Sequence, residues 1–238
     1  MDSVNGIQTR IRQLPIANDM KKNGLDACAS LSMQLYFLLG NYEKAVDCFN
    51  RISDKPMGIL EASVVYQSRL FYFALISIEI HRQKGKAGQR SETNEYVDRV
   101  KQLVEGGAIN LGHKYLLLQA ELASLTSKDH DDTMKKYEQA ISSSARAGFL
   151  QDGALASMLC GRFCLRESSL KEKADFHMIR AHELFCAWGA TAIATNLTTG
   201  YPDIFPDGMK LTQKESSSLR SRPHFKETII LKHKSICN

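Results

Sequence analysis

A spacing of 34 residues recurs in the chain and limits the folds that it can adopt. Two triplets of residues have the same internal intervals of four and three, and the second begins 34 residues after the first: Ala140, Ser144 and Ala147, then Ala174, Met178 and Ala181. An earlier triplet has the same intervals: Ala45, Phe49 and Ile52. Intervals of three and four place side chains on one face of an α-helix. The pattern therefore predicts helical units that repeat along the chain.

Tetratricopeptide repeats have this period of 34 residues, and each of their units is a pair of helices. A small residue on one helix of the pair allows the other helix to approach closely, and the residue one turn further on fills the gap to the next pair. The sequence predicts an all-α fold of antiparallel helical hairpins stacked as a tetratricopeptide-like solenoid.

Glycines and polar turns divide the chain into about four hairpins. The first predicted hairpin consists of Leu25 to Leu39 and Tyr42 to Ile52, and the second of Ile59 to about Arg82 and a helix through Tyr96 to Val104. The third consists of His113 to Leu125 and Thr133 to Ala147, and the fourth of Asp152 to Leu165 and Leu170 to Ala187. We expect Ser91 to Thr93 to cap one helix and Ser169 with Glu172 to form a capping box on another. Gly148 and Gly189 are expected to end helices.

Charge and composition give the domain boundaries. We predict a lead-in segment at 1–23 with a stop at Pro15, a tetratricopeptide-like domain at 24–197, and a basic, disordered tail at 198–238. Residues 210–238 carry seven Lys or Arg and two Glu, which equals the net charge of +5 of the whole chain. Because residues 1–209 are neutral overall, a nucleic-acid-binding face on the folded part is disfavoured.

The longest apolar stretch runs from Leu70 to Ile78 between Arg69 and Glu79. It has about half of the roughly 20 residues that a membrane-spanning helix needs, so no membrane span is predicted. Polar residues interrupt the first positions where a secretory leader would be apolar. A cytoplasmic location is therefore expected.

No motif for a reaction is present, so we expect no catalytic residue, no cofactor and no enzyme activity. The stretch from Gly85 to Gly88 lacks the spacing and the hydroxyl of a phosphate-binding loop. His182 begins a His-Glu-Leu triplet like the phosphoacceptor box of histidine kinases, but the residues that follow it differ from that box. We interpret His182 as a partly exposed helix residue.

Cysteine spacing raises the question of a metal site. Cys160 and Cys164 lie four residues apart on one predicted helix, and His182 and Cys186 lie four apart on the next, so the two pairs could offer tetrahedral ligands to zinc. Zinc sites usually contain short Cys-x-x-Cys knuckles, and buried helical cysteines usually pack as small apolar residues. No metal is therefore predicted. Trp188, the single tryptophan, is expected to seal the last hairpin.

Several stretches carry a resemblance to a known family. They are His113 to Leu122 (HKYLLLQAEL), Tyr137 to Ile141 (YEQAI), Gly148-Phe149 with Ala154-Leu155-Ala156, Ala181 to Phe185, and Trp188-Gly189-Ala190. They resemble the tetratricopeptide-like region of large multidomain signalling kinases, the ATPase-coupled sensor histidine kinases and serine-threonine kinases. The resemblance covers roughly residues 25–195. In that family, kinase-like and ATPase domains precede the repeats, and sensor and histidine-kinase or cyclase domains follow them. The resemblance implies a non-catalytic module that binds a protein or peptide, including signalling kinase domains.

Three functions are consistent with the sequence. The first is a non-catalytic protein–protein interaction or inter-domain scaffold in signal transduction, whose stacked hairpins present a concave surface to a partner. The second is a fragment of a multidomain sensor kinase or cyclase whose catalytic domains lie outside this chain. The third is contact of the basic tail with nucleic acid or a membrane, for which a solvated tail is the more common alternative.

Overall fold

The structure is a computed structural model that describes residues 15–52, 63–84 and 90–206, with side chains described from residue 26 in the first range and from residue 93 in the third. Within these ranges the chain is all-α and contains no strand. The helices are α1 (Pro15–Leu38), α2 (Tyr42–Arg51), α3 (Val64–Lys84), α4 (Arg90–Glu105), α5 (Gly112–Thr126), α6 (His130–Ala147), α7 (Leu150–Arg166), α8 (Lys171–Trp188) and α9 (Thr191–Gly200). Short 3₁₀ turns at Ile109–Leu111 and Ser168–Leu170 precede α5 and α8.

The chain forms two compact units, Met1–Ile76 and Ser77–Asn238, and the division falls within α3. In the first unit, α1 and α2 form the predicted hairpin. Gly40 adopts a left-handed φ of 73°, and the Asn41 side chain accepts a hydrogen bond from the Lys44 backbone N–H at 3.3 Å. These two residues stop α1 and cap α2, because glycine tolerates a positive φ and asparagine satisfies a free N–H at a helix start.

Helix α1 begins earlier than predicted. Pro15 was expected to be a stop, but it is the first residue of α1. A proline in the first helical turn leaves no broken hydrogen bond, since the first N–H groups of a helix have no partner within it. The predicted boundary between residues 23 and 24 consequently lies inside a helix. The predicted helix start at Ile59 lies outside the described residues.

Aromatic rings fill the core of the first unit. Phe37 of α1 packs edge-to-face on Tyr42 and on Tyr72, with ring centroids 5.4 and 5.8 Å apart. Phe49 of α2 packs on Phe73 at 4.8 Å. Buried rings in this geometry add stabilisation beyond the area that they bury. The longest apolar stretch of the sequence, Leu70 to Ile78, is buried throughout.

In the second unit, α7 pairs in antiparallel fashion with α8. Gly161 of α7 lies against Met178 of α8, and Gly153, two turns earlier, lies against Leu184. The preceding hairpin, α5 and α6, turns at Ser127 to Asp129, and the Asp129 side chain caps α6 by accepting the Asp132 N–H at 2.9 Å. The predicted helix ends are confirmed: Gly148 and Gly189 close α6 and α8 with φ of 78° and 94°.

The alanines of the repeated triplets occupy packed positions, with one exception. Ala45, Ala140, Ala174 and Ala181 are all 0 % exposed, as close packing between helices requires. Ala147, the last residue of α6, is exposed. The prediction that alanine mediates packing is thus confirmed for four positions and wrong for Ala147.

The two predicted helix caps, one at Ser91 to Thr93 and one at Ser169 with Glu172, are both wrong. Ser169 lies in the 3₁₀ turn, so Leu170 is the N-cap of α8 and no side chain caps this helix. Thr93 lies inside α4, and its hydroxyl donates to the Ser77 carbonyl of α3 at 3.3 Å. In each case the helix or turn starts before the residue that was expected to cap it.

The folded part of the chain extends beyond residue 197, which was predicted to be the last residue of the helical domain. That boundary lies inside α9, and the chain beyond it folds back: Tyr201 accepts a hydrogen bond from Arg162 Nε at 3.2 Å, and Phe205 is 4 % exposed. The remainder of the predicted tail, residues 207–238 with the seven basic residues of 210–238, lies outside the described residues. None of the described helices is long and apolar enough to cross a membrane.

Candidate functional site

Helix α1 exposes an apolar face. No charged side chain occurs from Ala27 to Leu39. Met33 and Phe37 are buried, whereas Leu31 is 64 % exposed and Leu35 is 48 % exposed. Cys28 is also exposed, and its spacing of three and seven residues from the two leucines places it on the same face. We call Cys28, Leu31 and Leu35 the outer stripe of α1.

Such a stripe is unusual for a helix surrounded by water. Single exposed leucines are normal, but the solvent side of a surface helix is generally polar or charged. Adjacent apolar side chains without intervening charge are typical of surfaces that another molecule covers. The outer stripe is therefore the candidate interaction surface of the first unit.

The large exposed apolar side chains among the described residues of the second unit are Ile109, Phe176 and Trp188. Ile109, in the turn before α5, is 86 % exposed, and Phe176 and Trp188 of α8 are 36 % and 46 % exposed. The prediction that Trp188 seals the last hairpin is wrong. One turn earlier in α8, Leu184 and Phe185 are buried.

A buried polar cluster connects α3, α5 and α6. Glu121 is 3 % exposed, and both of its carboxylate oxygens have donors: Arg82 Nη2 lies 2.7 Å from Oε2, and the Tyr137 hydroxyl donates to Oε1 at 2.5 Å. Arg82 also contacts Glu79 and donates to Ser124 Oγ at 3.0 Å. Because a buried carboxylate is costly unless it is paired and hydrogen-bonded, the set of partners accounts for the burial of Glu121.

Electrostatics fix the protonation states in this cluster. Burial and the adjacent Glu121 carboxylate raise the pKa of Tyr137 well above its usual value, so the phenol keeps its proton. Burial alone would lower the pKa of Arg82, but Glu121 and Glu79 outweigh it and raise the pKa. A charged arginine and a neutral phenol thus bind the same carboxylate, and these contacts connect the three helices. No sequence motif predicts the cluster.

A second buried pair joins α5 to α7. His113 Nε2 lies 2.7 Å from Asp152 Oδ2, and the His113 ring stacks on Phe149 with centroids 4.6 Å apart. Lys114 Nζ lies 3.4 Å from the other Asp152 oxygen. His113 and Asp152 are 3 % and 5 % exposed. His113 begins a predicted helix and one of the stretches of the resemblance, but nothing in its spacing of 39 residues from Asp152 indicates that the two side chains meet.

His182 is 2 % exposed, so the prediction of a partly exposed side chain is wrong. The ring of Phe205 lies over it at 5.5 Å between centroids, which sequence reasoning could not foresee from a segment without periodicity. Nδ1 of His182 makes no hydrogen bond to the described residues, and Nε2 lies 3.8 Å from the Cys186 sulfur. Burial lowers the pKa of His182.

The two pairs considered as zinc ligands are not gathered into one site. Among the described residues, no group of three or more His, Cys, Asp or Glu side chains is arranged to hold a metal ion. Cys160 and Cys164 instead meet Met134 of α6, whose sulfur lies 3.9 Å from the first and 3.5 Å from the second cysteine sulfur. We call Met134, Cys160 and Cys164 the sulfur cluster. The contribution of a methionine was missed because it has no characteristic spacing.

A surface cavity of about 420 Å³ lies between the turn that precedes α6 and the start of α8. It is lined by Lys128, Asp129, His130, Asp131, Ser169, Leu170 and Lys173. His130 also lies 3.3 Å from Glu167 and packs edge-on to Phe163. The mixture of basic and acidic side chains gives the cavity no single charge preference.

Comparison of the chain with protein-family models, with curated proteins and with solved structures found no match.

Proposed function

We propose that the chain is a non-catalytic protein–protein interaction scaffold. The observation that carries this proposal is the outer stripe of α1, where Leu31 and Leu35 are 64 % and 48 % exposed on a helix segment without charge. The occupant that fits it is an amphipathic helix of a partner protein. Such a helix presents apolar side chains at intervals of three, four and seven residues, which match the intervals of the stripe.

The buried alanines also support a fold built from repeated helical hairpins. Buried alanines stand at equivalent places in α2, α6 and α8, at Ala45, Ala140 and Ala174. We propose that the hairpins stack as a tetratricopeptide-like solenoid, since that architecture requires a small residue at these places in each unit. Stacked hairpins commonly serve as extended binding surfaces, so the proposed fold and the proposed function agree.

The association with signal transduction depends on the resemblance of His113 to Leu122, Tyr137 to Ile141 and Trp188 to Ala190 to repeat regions of signalling kinases. On that basis the partner is a signalling kinase domain. The alternative is that the chain is the inter-domain segment of a sensor kinase or cyclase. Reading the genomic frame on both sides of the coding sequence separates the two: adjoining ATPase or kinase coding sequence supports the segment, and flanking stop codons support the free scaffold.

A capture experiment tests the scaffold. Full-length chain with Leu31→Ser and Leu35→Ser, the wild type, and a matched control with Ile109→Ser are used as baits in extract from the native source. Ile109 is 86 % exposed and apolar but lies outside the stripe. We expect a partner that the wild type and the control retain and the double variant loses. Equal retention by all three baits would contradict a role for the stripe.

A further inference from the structure

The sulfur cluster brings three sulfur atoms into mutual contact inside the second unit. Met134 is 4 % exposed, and Cys160 and Cys164 are both 0 % exposed. The two cysteines lie one turn apart on α7, and the methionine comes from α6. The methionine sulfur is thus buried beside both cysteine sulfurs, and all three atoms are soft and polarizable.

The separations match those of ligands around one metal ion. A metal–thiolate bond is about 2.3 Å long, so ligand sulfurs stand about 4.0 Å apart in a trigonal site and about 3.8 Å apart in a tetrahedral one. Met134 Sδ lies 3.9 Å from Cys160 Sγ and 3.5 Å from Cys164 Sγ. Both distances from the Met134 sulfur are thus close to the separation of two ligands that share one metal ion.

Binding of Cu(I) by two cysteines would release both thiol protons to solvent, because the thiolate is the form of cysteine that binds a metal.

The sulfur cluster and the surface cavity lie toward the same end of the α6–α7 pair. Cys164 is two residues from the end of α7, and Met134 is one turn from the start of α6. His130, which lines the cavity, stands one turn before Met134.

We propose that Met134, Cys160 and Cys164 form a binding site for one Cu(I) ion. Two thiolates and one thioether in an apolar surrounding are the soft ligands that select Cu(I) among the common metals. Zinc fits less well, because structural zinc sites complete a four-coordinate shell, and no fourth His, Cys, Asp or Glu ligand joins the cluster among the described residues.

The test uses the reduced full chain under anaerobic conditions with Cu(I) held by a chromophoric chelator. The wild type is expected to withdraw one Cu(I) per chain. Cys160→Ala and Cys164→Ala should each lower the affinity by more than about 100-fold, and Met134→Leu by about tenfold or more, because even groups that only orient a ligand contribute about 10- to 100-fold. Cys28→Ala and Cys186→Ala are matched controls that should leave the site unchanged.

X-ray absorption of the copper-loaded wild type makes the test independent of how the variants fold. We expect three sulfur neighbours at about 2.3 Å, the length of a metal–thiolate bond. The proposal is overturned if the wild type and a Cys160→Ala, Cys164→Ala double variant withdraw equal amounts of Cu(I). A copper environment dominated by nitrogen or oxygen would overturn it as well. Neither result bears on the α1 stripe, so the scaffold and the metal site are tested separately.

Discussion

Gly161 of α7 and Met178 of α8 lie so close that a β-carbon at position 161 would stand 2.7 Å from both Cγ and Sδ of Met178 and 3.3 Å from its backbone nitrogen. A side chain at position 161 would therefore require Met178 to shift. At Gly153 on the same helix, an added β-carbon would meet Ser144 and Leu184 at ordinary distances of 3.6 and 3.7 Å. The two glycines therefore form a matched pair for mutation.

Gly161→Ala should lower the free energy of unfolding, and Gly153→Ala should not. Overpacking destabilises the fold by about 1–3 kcal/mol. The higher helix propensity of alanine stabilises the helix by about 1 kcal/mol relative to glycine. We expect a net loss of up to about 2 kcal/mol for Gly161→Ala and a gain of up to about 1 kcal/mol for Gly153→Ala. Urea unfolding of both variants measures the difference. If both glycines respond alike, the close contact at Met178 is absent.

Ala140→Leu or Ala174→Leu should cost about 1–3 kcal/mol of stability, because both alanines are fully buried between helices and leucine adds three carbons there. Ala147→Leu is the control on the same helix as Ala140, since this alanine is exposed and should change stability by less than about 0.5 kcal/mol. Thermal or urea unfolding distinguishes them. A buried-site variant that unfolds like the wild type would show that the register of the repeat is wrong.

Tyr137→Phe should destabilise the second unit by about 1–3 kcal/mol. The change leaves Oε1 of the buried Glu121 without the donor that now lies 2.5 Å away. The exposed pair of Lys101 and Glu105, 3.7 Å apart, provides a comparison: Glu105→Gln should cost less than about 0.5 kcal/mol, because exposed ion pairs contribute little. Equal effects of the two substitutions in urea unfolding would mean that the cluster does not stabilise the fold.

Acid should weaken the fold through His182. Burial lowers the pKa of this residue below its ordinary value of 6.5, so the unfolded chain binds the proton first as the pH falls. Stability is then greatest above about pH 6.5 and declines below it, by at most about 1.4 kcal/mol per pH unit for one proton. His182→Gln should reduce the slope of unfolding free energy against pH in that window. An unchanged slope would show that His182 takes up its proton equally in both states.

Much of the fold could be predicted from local signals. Gly40, Gly148 and Gly189 stand where helices end, and their positive φ values of 73°, 78° and 94° explain why glycine marks those points. The buried alanines could be predicted because helix periodicity depends on sequence spacing alone. Pro15 was misjudged since proline stops a helix from within but is well suited to start one.

The candidate sites depend on contacts between distant residues, which spacing does not reveal. Phe205 covers His182 from a segment without periodicity. Met134 joins two cysteines from a different helix. Trp188 was expected to be buried because tryptophan is large and apolar, yet the preceding turn of α8 fills the core first. Local patterns thus predicted the helices, whereas the side-chain clusters required the folded arrangement.

Photo-crosslinking from the outer stripe of α1 tests the scaffold most directly. A photoreactive amino acid replaces Leu31 in one full-length variant and Glu43, an exposed residue of α2, in a control. In cells of the native source, we expect one dominant protein crosslinked from position 31 and none from position 43. Absence of a crosslink from position 31, or the same products from both positions, would contradict a partner on this face.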